Sequence, residues 1–240
     1  IKASFKNRSA QDVTIVGGGL IGIEMAEAFA EMGARVTIVE AMDQILTFLD
    51  KEMAYHVVKH LNAKGVKVMT GTKVQELLGS GSVEKVRTDK GEIACDIAII
   101  AVGVRPNSAL AKAAGLEVGP TGGIVVNERM QTSDPDIFAA GDCVEMKNII
   151  TGKPCYVPLG STANKQGRVA ASNICNVGNE TFPGVLGTAI CKVFEFAVAA
   201  TGLSEKAAKN LGYDYITLLT PAPDKAHFYP TAKDVMLKLV

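Results

Sequence analysis

The sequence predicts an α/β fold built around a parallel β-sheet, and three observations predict it. A short apolar run at residues 13–16 (VTIV) leads directly into a cluster of glycines, as a buried strand that ends in a tight turn does. A segment with helical periodicity follows at residues 21–32. A second apolar run at residues 35–39 then completes a strand-helix-strand unit, which favours parallel pairing of its two strands.

The first half of the chain continues this alternation. The first helix is predicted to bury one apolar stripe, and Gly65 is predicted to end a second helix as its C-terminal cap. A fully apolar run at residues 97–101 predicts a central strand of the parallel sheet. The stripe consists of Ile21, Met25, Ala28, Phe29 and Met32; the second helix spans residues 50–64, a third strand 66–69, and short antiparallel strands 72–78, 83–88 and 92–94.

Beyond residue 104 the predicted elements are shorter. A helix is predicted over residues 161–173 with Ser161 near its N-cap, and a short capped helix over residues 204–209. The final residues, 235–240, alternate between apolar and polar types as a strand does. The other predicted strands are residues 124–126, 137–140, 188–200 and 213–219.

The glycine cluster has the spacing of a dinucleotide-binding turn, Gly17-x-Gly19-x-x-Gly22. Glycines let the backbone approach a pyrophosphate, while the helix N-terminus at Leu20 and Ile21 offers free N–H groups to that anion. Glu40 ends the next strand, where a carboxylate can accept hydrogen bonds from both ribose hydroxyls. Residues 41–49 contain no Lys or Arg to bind a 2′-phosphate, so the sequence predicts NADH in preference to NADPH.

Composition excludes several other classes of protein. The 240 residues carry a formal net charge of zero, which gives no indication of a nucleic-acid partner. The apolar run 97–104 is too short to cross a membrane, and no signal peptide is visible, so no membrane association and a cytoplasmic location are predicted. The chain starts without Met and stops within a strand pattern, which we interpret as a piece of a longer protein.

The cysteines give no sign of a disulfide framework or a zinc site. They are odd in number and lack Cys-x-x-Cys spacing, which favours a reducing compartment. Glu52, His56 and His60 share one helix face and formally permit a metal site, but we interpret them as a solvated polar face and predict no metal. The five cysteines are predicted to be packing residues or inert thiols: Cys95, Cys143, Cys155, Cys175 and Cys191.

Five ordered motifs resemble one enzyme family. Residues 16–24 (VGGGLIGIE), 101–107 (AVGVRPN) and 132–142 (TSDPDIFAAGD) are similar to the flavin-dependent pyridine nucleotide-disulfide oxidoreductases. Residues 158–168 (PLGSTANKQGR) and 201–205 (TGLSE) resemble the branch of NADH oxidases, NADH peroxidases and coenzyme A-disulfide reductases. The resemblance covers essentially the whole chain.

This resemblance implies how the chain is divided. A linker at 1–10 would precede a Rossmann-like NAD(P)H-binding domain at 11–103 that carries the antiparallel insertion. Residues 104–178 would form the C-terminal segment of a discontinuous FAD domain, and 179–240 the truncated start of an α+β dimerisation domain. The FAD fingerprint and the redox-active cysteine would lie outside this chain, and the full-length protein would be a homodimer.

The resemblance also implies roles for individual residues near FAD. The Asp142 carboxylate would hydrogen-bond a ribityl hydroxyl, with Gly141 letting the flavin chain pass close to the backbone. The backbone of Leu159, Gly160 and Ser161 would face the flavin N1 and O2 edge, where a helix N-terminus stabilises negative charge.

Further residues are implied near the nicotinamide cofactor and the substrate. Glu24 would lie near the nicotinamide–flavin contact and pair with a lysine of the FAD domain. Gly103 would contact the nicotinamide half, and Phe48 would cover the adenine or serve as a core aromatic. Tyr229 would reach the active site of the partner subunit, although its neighbours His227 and Phe228 depart from the family pattern.

The predicted activity is electron transfer from NADH through FAD to a cysteine centre. The final acceptor would be a disulfide such as coenzyme A disulfide, a peroxide or oxygen, and the 240-residue chain alone is expected to be inactive. A ferredoxin-reductase or dihydrolipoamide-reductase type of flavoenzyme is one alternative. A non-catalytic NADH-sensing module is another, and it would have no use for the Asp142 motif.

Overall fold

The computed structural model describes residues 12–240, so the predicted linker at 1–10 lies outside the described residues. The described chain forms two compact units. Unit 1 contains residues 12–103, 190–199 and 203–240, and unit 2 contains residues 104–189 and 200–202.

The described residues form the following elements, given in chain order. The helices are α1 (Leu20–Glu31), α2 (Lys51–Ala63), α3 (Ala109–Ala113), α4 (Gly160–Ile174) and α5 (Glu205–Asn210). The strands are β1 (Asp12–Val16), β2 (Arg35–Val39), β3 (Lys67–Met69), β4 (Val74–Leu78), β5 (Lys85–Thr88), β6 (Gly91–Ala94), β7 (Ile97–Ile100), β8 (Met146–Lys147), β9 (Pro154–Cys155), β10 (Ala189–Val193), β11 (Phe196–Ala200), β12 (Leu218–Pro223) and β13 (Asp234–Leu239).

Unit 1 contains the predicted parallel sheet, in the order β3-β2-β1-β7. The prediction that residues 97–101 form a central strand is wrong, because β7 is the edge of the described sheet and Ile100 is 56 % exposed. The two inner strands are β2 and β1, and β1 pairs in parallel with both β2 and β7. An apolar run indicates that a strand's faces are covered, but not which strands flank it.

Helix α1 confirms the predicted helix but not its predicted apolar stripe. Its buried residues are Gly22, Ile23, Ala26 and Phe29, whereas Ile21 is exposed. Gly22 sets this rotation, since a Cβ on Gly22 would lie 2.0 Å from the Gly17 carbonyl oxygen. The helix therefore packs closely at Gly22, and Ala26 and Phe29, one and two turns further on, are buried on the same face.

Helix α2 ends as predicted. Gly65 has φ +81°, and its N–H donates to the Asn62 carbonyl. A left-handed residue directly after a helix is favoured by glycine, which lacks the Cβ that would clash. Ala54, Val57 and Leu61 form the buried face of the helix.

The antiparallel insertion is also confirmed, as the three-stranded sheet β4-β5-β6. Val86, which is fully buried, pairs with Leu77 on one side and Ile93 on the other. The predicted strand at 213–219 is shifted: β12 begins at Leu218 and pairs with β13. A proline is tolerated in β12 because the sheet has two strands, so each strand is an edge strand.

Unit 2 differs more from the prediction. Residues 124–126 and 137–140 form isolated bridges rather than strands. Helix α4 begins one residue earlier than predicted. Its N-cap is Leu159, two residues before Ser161, and no side chain caps the helix. The core of this unit gathers around Ile124, Val144 and Met146.

Candidate functional site

The glycine turn of unit 1 is fixed by its neighbours. The Gly17 N–H donates to the Val39 carbonyl at 2.8 Å, and Gly17 has φ +110°. A Cβ on Gly17 would lie 2.2 Å from the Ala101 carbonyl oxygen, so no other residue fits without displacing β7. The turn therefore connects β1 to α1 at the carboxyl edge of the sheet, where nucleotides bind in this class of fold.

Gly19 differs from the other glycines of the turn. It is the N-cap of α1, and a Cβ built on it would meet no atom within 4 Å. The open space lies directly at the helix N-terminus, where the first N–H groups have no intrahelical acceptors. These residues fit the pyrophosphate of a dinucleotide, because a side chain at Gly19 would occupy the space that the anion needs.

Glu40 lies against this turn. Its Oε2 accepts a hydrogen bond from the Gly18 N–H at 2.7 Å, and its Oε1 accepts one from the Met42 N–H at 2.8 Å. Each carboxylate oxygen has two lone-pair sites, so both oxygens can still accept from a ligand hydroxyl. The carboxylate is thus held beside the glycine turn, with acceptor capacity left on both oxygens.

The segment after Glu40 is well anchored. The Leu46 N–H donates to the Gly18 carbonyl at 2.9 Å, and the buried Gln44 amide donates to the Leu49 carbonyl. Phe48 is half-buried in this segment. At the end of β7, Gly103 has φ +96°, and its Cβ position is open.

Glu24 lies exposed on α1, whereas Glu27, its neighbour on the same face, is hydrogen-bonded to other residues. Glu27 accepts hydrogen bonds from Lys192 Nζ and the Phe194 N–H, both at 2.7 Å. Burial would raise the pKa of Glu27, but these two donors outweigh it and lower the pKa overall. Glu24, Glu27 and Glu31 line a cleft with Lys192.

In unit 2, Gly141 and Asp142 form a turn in which the N–H of the first residue and the carbonyl of the second are both hydrogen-bonded. The Gly141 N–H donates to Gln166 Oε1 at 2.8 Å, and the Asp142 carbonyl accepts from the Tyr156 hydroxyl at 2.9 Å. Burial, reinforced by Asp142 and Cys143, raises the pKa of Tyr156, which keeps the hydroxyl protonated as a donor. Within residues 12–240 the exposed Asp142 carboxylate makes no hydrogen bond, which fits a group presented to a ligand hydroxyl.

The N-terminus of α4 is open in the same way as that of α1. Leu159 is its N-cap, and a Cβ on Gly160 would meet no atom within 4 Å. Ser161 is exposed in the first turn. Two free N–H groups at the positive end of a fifteen-residue helix suit an electron-rich ligand edge, as predicted for FAD.

The other predicted residues make contacts that do not involve a ligand site. Cys143 donates through Sγ to the Ala140 carbonyl at 3.4 Å and packs against the core of unit 2. Burial raises the pKa values of the Cys155 and Cys191 thiols, which lowers their reactivity. Tyr229 is 52 % exposed and stacks on Phe228 with 4.9 Å between ring centroids.

The helix face considered as a metal site has another role. His60 stacks on Phe196 with 3.8 Å between ring centroids, and its side chain is 12 % exposed, so the interpretation of a solvated polar face is wrong for this residue. Glu52 binds Lys238 instead. Across residues 12–240, no three His, Cys, Asp or Glu side chains come together as metal ligands would.

Among the helices of residues 12–240, none combines the length and apolar character that a membrane crossing requires.

Comparison with known proteins supplies the family. Residues 2–167 match the family model described as pyridine nucleotide-disulphide oxidoreductase. The NAD(P)H sulfur oxidoreductase (CoA-dependent) of Pyrococcus abyssi is 44 % identical over 97 % of this chain and 52 % of its own length. An NADH oxidase of Enterococcus faecalis is 37 % identical over 98 % of this chain and 53 % of its own length.

A solved structure agrees with these relatives. The NAD-dependent persulfide reductase of A. fulgidus superposes with a TM-score of 0.96 at 44 % identity, covering 99 % of this chain and 44 % of that one. The chain thus spans about half the length of the curated relatives it matches. It belongs to the pyridine nucleotide-disulphide oxidoreductase family, in the branch of coenzyme A-disulfide reductases, NADH oxidases and persulfide reductases.

Proposed function

We propose that this chain supplies the NADH site and part of the FAD site of an FAD-dependent NADH oxidoreductase. In this proposal residues 11–103 bind the nicotinamide nucleotide, residues 104–178 complete an FAD domain, and residues 179–240 begin a dimerisation domain of a homodimer. The chemistry that a bound FAD would supply is acceptance of a hydride from NADH and transfer of its electrons to an acceptor. The single observation that carries the proposal is the pair of open helix N-termini, one with Glu40 against its glycine turn and the other on the helix that binds the Gly141–Asp142 turn through Gln166.

The residues of unit 1 would bind and orient NADH. Gly19, Leu20 and Ile21 present backbone N–H groups to the pyrophosphate, and Gly17 and Gly22 keep the turn close to the sheet. Glu40 accepts from the ribose hydroxyls, with Phe48 against the adenine and Gly103 beside the nicotinamide half. Glu24 would hold a lysine near the nicotinamide.

NADH is proposed in preference to NADPH because of charge. The Glu40 carboxylate is fixed by Gly18 and Met42, so it cannot easily turn away from a 2′-phosphate. Within residues 41–49 the sequence offers that phosphate no cation. A negative group held against a doubly charged phosphate costs binding energy in a partly desolvated site.

The proposed acceptor is a sulfur compound linked to coenzyme A, such as its disulfide or persulfide. The identity to a CoA-dependent sulfur oxidoreductase, 44 %, exceeds the 37 % identity to an NADH oxidase, which makes oxygen the second candidate. The family resemblance also implies peroxide as an acceptor. Tyr229, exposed beside Phe228, is proposed to contact this acceptor in the partner subunit.

Replacing Asp142 tests the flavin part of the proposal. Asp142→Ala removes an exposed carboxylate that makes no hydrogen bond in the described structure, so the fold should be kept. FAD affinity of the full-length protein is expected to fall about tenfold or more, because a charged hydrogen bond to a ribityl hydroxyl is lost. Flavin retained after gel filtration, measured by absorbance, reports this.

The control is Asp136→Ala, which removes another exposed carboxylate of unit 2. It should leave flavin content unchanged. A wild-type full-length protein that purifies without FAD and takes up none when it is added would instead favour the NADH-sensing module.

A further inference from the structure

We infer that Gln166 is a positioning residue for the flavin, an inference that rests on the proposed FAD site. Gln166 lies on α4, and only 1 % of it is exposed. Its side-chain oxygen accepts the hydrogen bond of the Gly141 N–H at 2.8 Å. The amide orientation is determined by this contact, since a backbone N–H can donate only to the oxygen of the amide.

The contact joins two segments that are distant in sequence. Gly141 has φ +87°, and a Cβ on it would lie 3.6 Å from the Ala163 Cβ. Ala163 and Gln166 are three residues apart on α4, so they share the helix face on which the Gly141 turn rests. Gly160 is the first residue of the helix, at its open N-terminus. At a rise of about 1.5 Å per residue, Gln166 lies about 9 Å further along the helix axis.

Gln166 therefore sets the register between the Asp142 carboxylate and the N-terminus of α4. Both groups are proposed to bind the same cofactor, one at the ribityl chain and one at the flavin ring. The Tyr156 hydroxyl holds the Asp142 carbonyl from another direction. Because the Gly141 N–H and the Asp142 carbonyl are both hydrogen-bonded, the backbone that carries the Asp142 carboxylate is pre-organised. Pre-organisation lowers the free-energy cost of binding.

Gln166→Met tests this role. Methionine has nearly the same length and volume as glutamine, so packing is largely kept while the acceptor for the Gly141 N–H is removed. The full-length protein is expected to bind FAD about tenfold more weakly, because the turn loses its fixed position. The visible flavin band and the midpoint potential of the bound flavin should also shift, since the helix N-terminus is displaced relative to the ring.

Asn173→Leu is the matched control. Asn173 is a buried amide on the same helix, 4 % exposed, and its Nδ2 donates to the carbonyls of Val169 and Glu180 rather than to the Gly141 turn. This variant should lose stability in denaturant to a similar extent, with unchanged FAD affinity, spectrum and potential. Gln166→Glu, which keeps an oxygen acceptor, should bind FAD more tightly than Gln166→Met.

Three results would overturn the inference. One is a Gln166→Met protein with wild-type FAD affinity, spectrum and potential. Another is an equal loss of FAD in Gln166→Met and Asn173→Leu, which would mean that FAD merely reports general destabilisation. The third is Gln166→Glu binding FAD no more tightly than Gln166→Met. A wild-type protein that binds no FAD would instead refute the proposed flavin function, so the two failures are distinguishable.

Discussion

Lys238→Met is expected to destabilise the chain by about 3 kcal/mol, because it leaves a buried carboxylate without its partner. The Lys238 side chain on β13 is 6 % exposed and contacts Asp50 at 3.1 Å, Glu205 at 2.6 Å, and Glu52. Burial alone would lower the pKa of Lys238, but hydrogen bonds to Glu205, Glu52 and Asp50 outweigh it and raise that pKa.

Asp50 makes this cluster more than a surface ion pair. Its side chain is 9 % exposed and accepts hydrogen bonds from the N–H groups of Glu205 and Lys206, the first turn of α5. Without Lys238 the Asp50 carboxylate keeps only these two backbone donors. Glu52 and Glu205 are about 40 % exposed and can be solvated instead, which places the expected loss at the low end of the range for broken buried pairs, about 3–5 kcal/mol.

Urea denaturation of Lys238→Met, with Lys233→Met as the control, measures the effect. Lys233 is exposed on the same segment, and its replacement should change the unfolding free energy by less than about 0.5 kcal/mol. Equal midpoints for the two variants would contradict the assigned role of the cluster.

The stability difference between wild type and Lys238→Met should also depend on pH. Burial would raise the pKa of Asp50, but its backbone donors and Lys238 lower it overall, and Lys238 likewise lowers the pKa of Glu52. Stability from a lowered carboxyl pKa is present above the ordinary value and is lost as the pH falls through the folded-state value. The difference should therefore shrink in acid, as the carboxyl groups become neutral.

Glu40→Ala is expected to weaken NADH binding by about thirtyfold to a hundredfold, while NADPH binding changes by about threefold or less. Two hydrogen bonds from ribose hydroxyls to a carboxylate are lost for NADH, each worth about 1–1.4 kcal/mol. For NADPH the same substitution removes a repulsive charge, which offsets the disturbance of the Gly18 and Met42 contacts.

Binding isotherms for both nucleotides measure this difference. Asp43→Ala is the matched control, because Asp43 is an exposed carboxylate three residues further on whose nearest cation, Lys51 Nζ, is 3.9 Å away. It should change neither affinity. Equal losses of NADH and NADPH in Glu40→Ala would refute the ribose assignment.

The glycine turn could be predicted because its determinants are local. Gly17, Gly19, Gly22 and Glu40 lie within one strand-helix-strand unit, and each meets a constraint that spacing alone expresses. The rotation of α1 could not be predicted in this way. It depends on Gly22 touching the Gly17 carbonyl, a contact that favours burial of a small residue over the larger Ile21.

The contacts missed from the sequence are long-range. Gln166 belonged to a recognised motif, but its partner Gly141 lies 25 residues earlier, and no periodicity connects them. Lys238 occupies a polar position of an alternating strand, although its most distant carboxylate partner, Asp50, lies 188 residues earlier. The shift of β12 has a similar cause, since its limits follow the register of its pairing with β13.

Anaerobic titration of the purified full-length protein with NADH tests the central claim most directly, since FAD is proposed to accept the hydride of NADH bound between Gly17 and Glu40. The visible flavin band should bleach as NADH is added, and NADPH should be needed at much higher concentration. A flavin band that NADH leaves unchanged, or that NADPH bleaches equally well, would contradict the account.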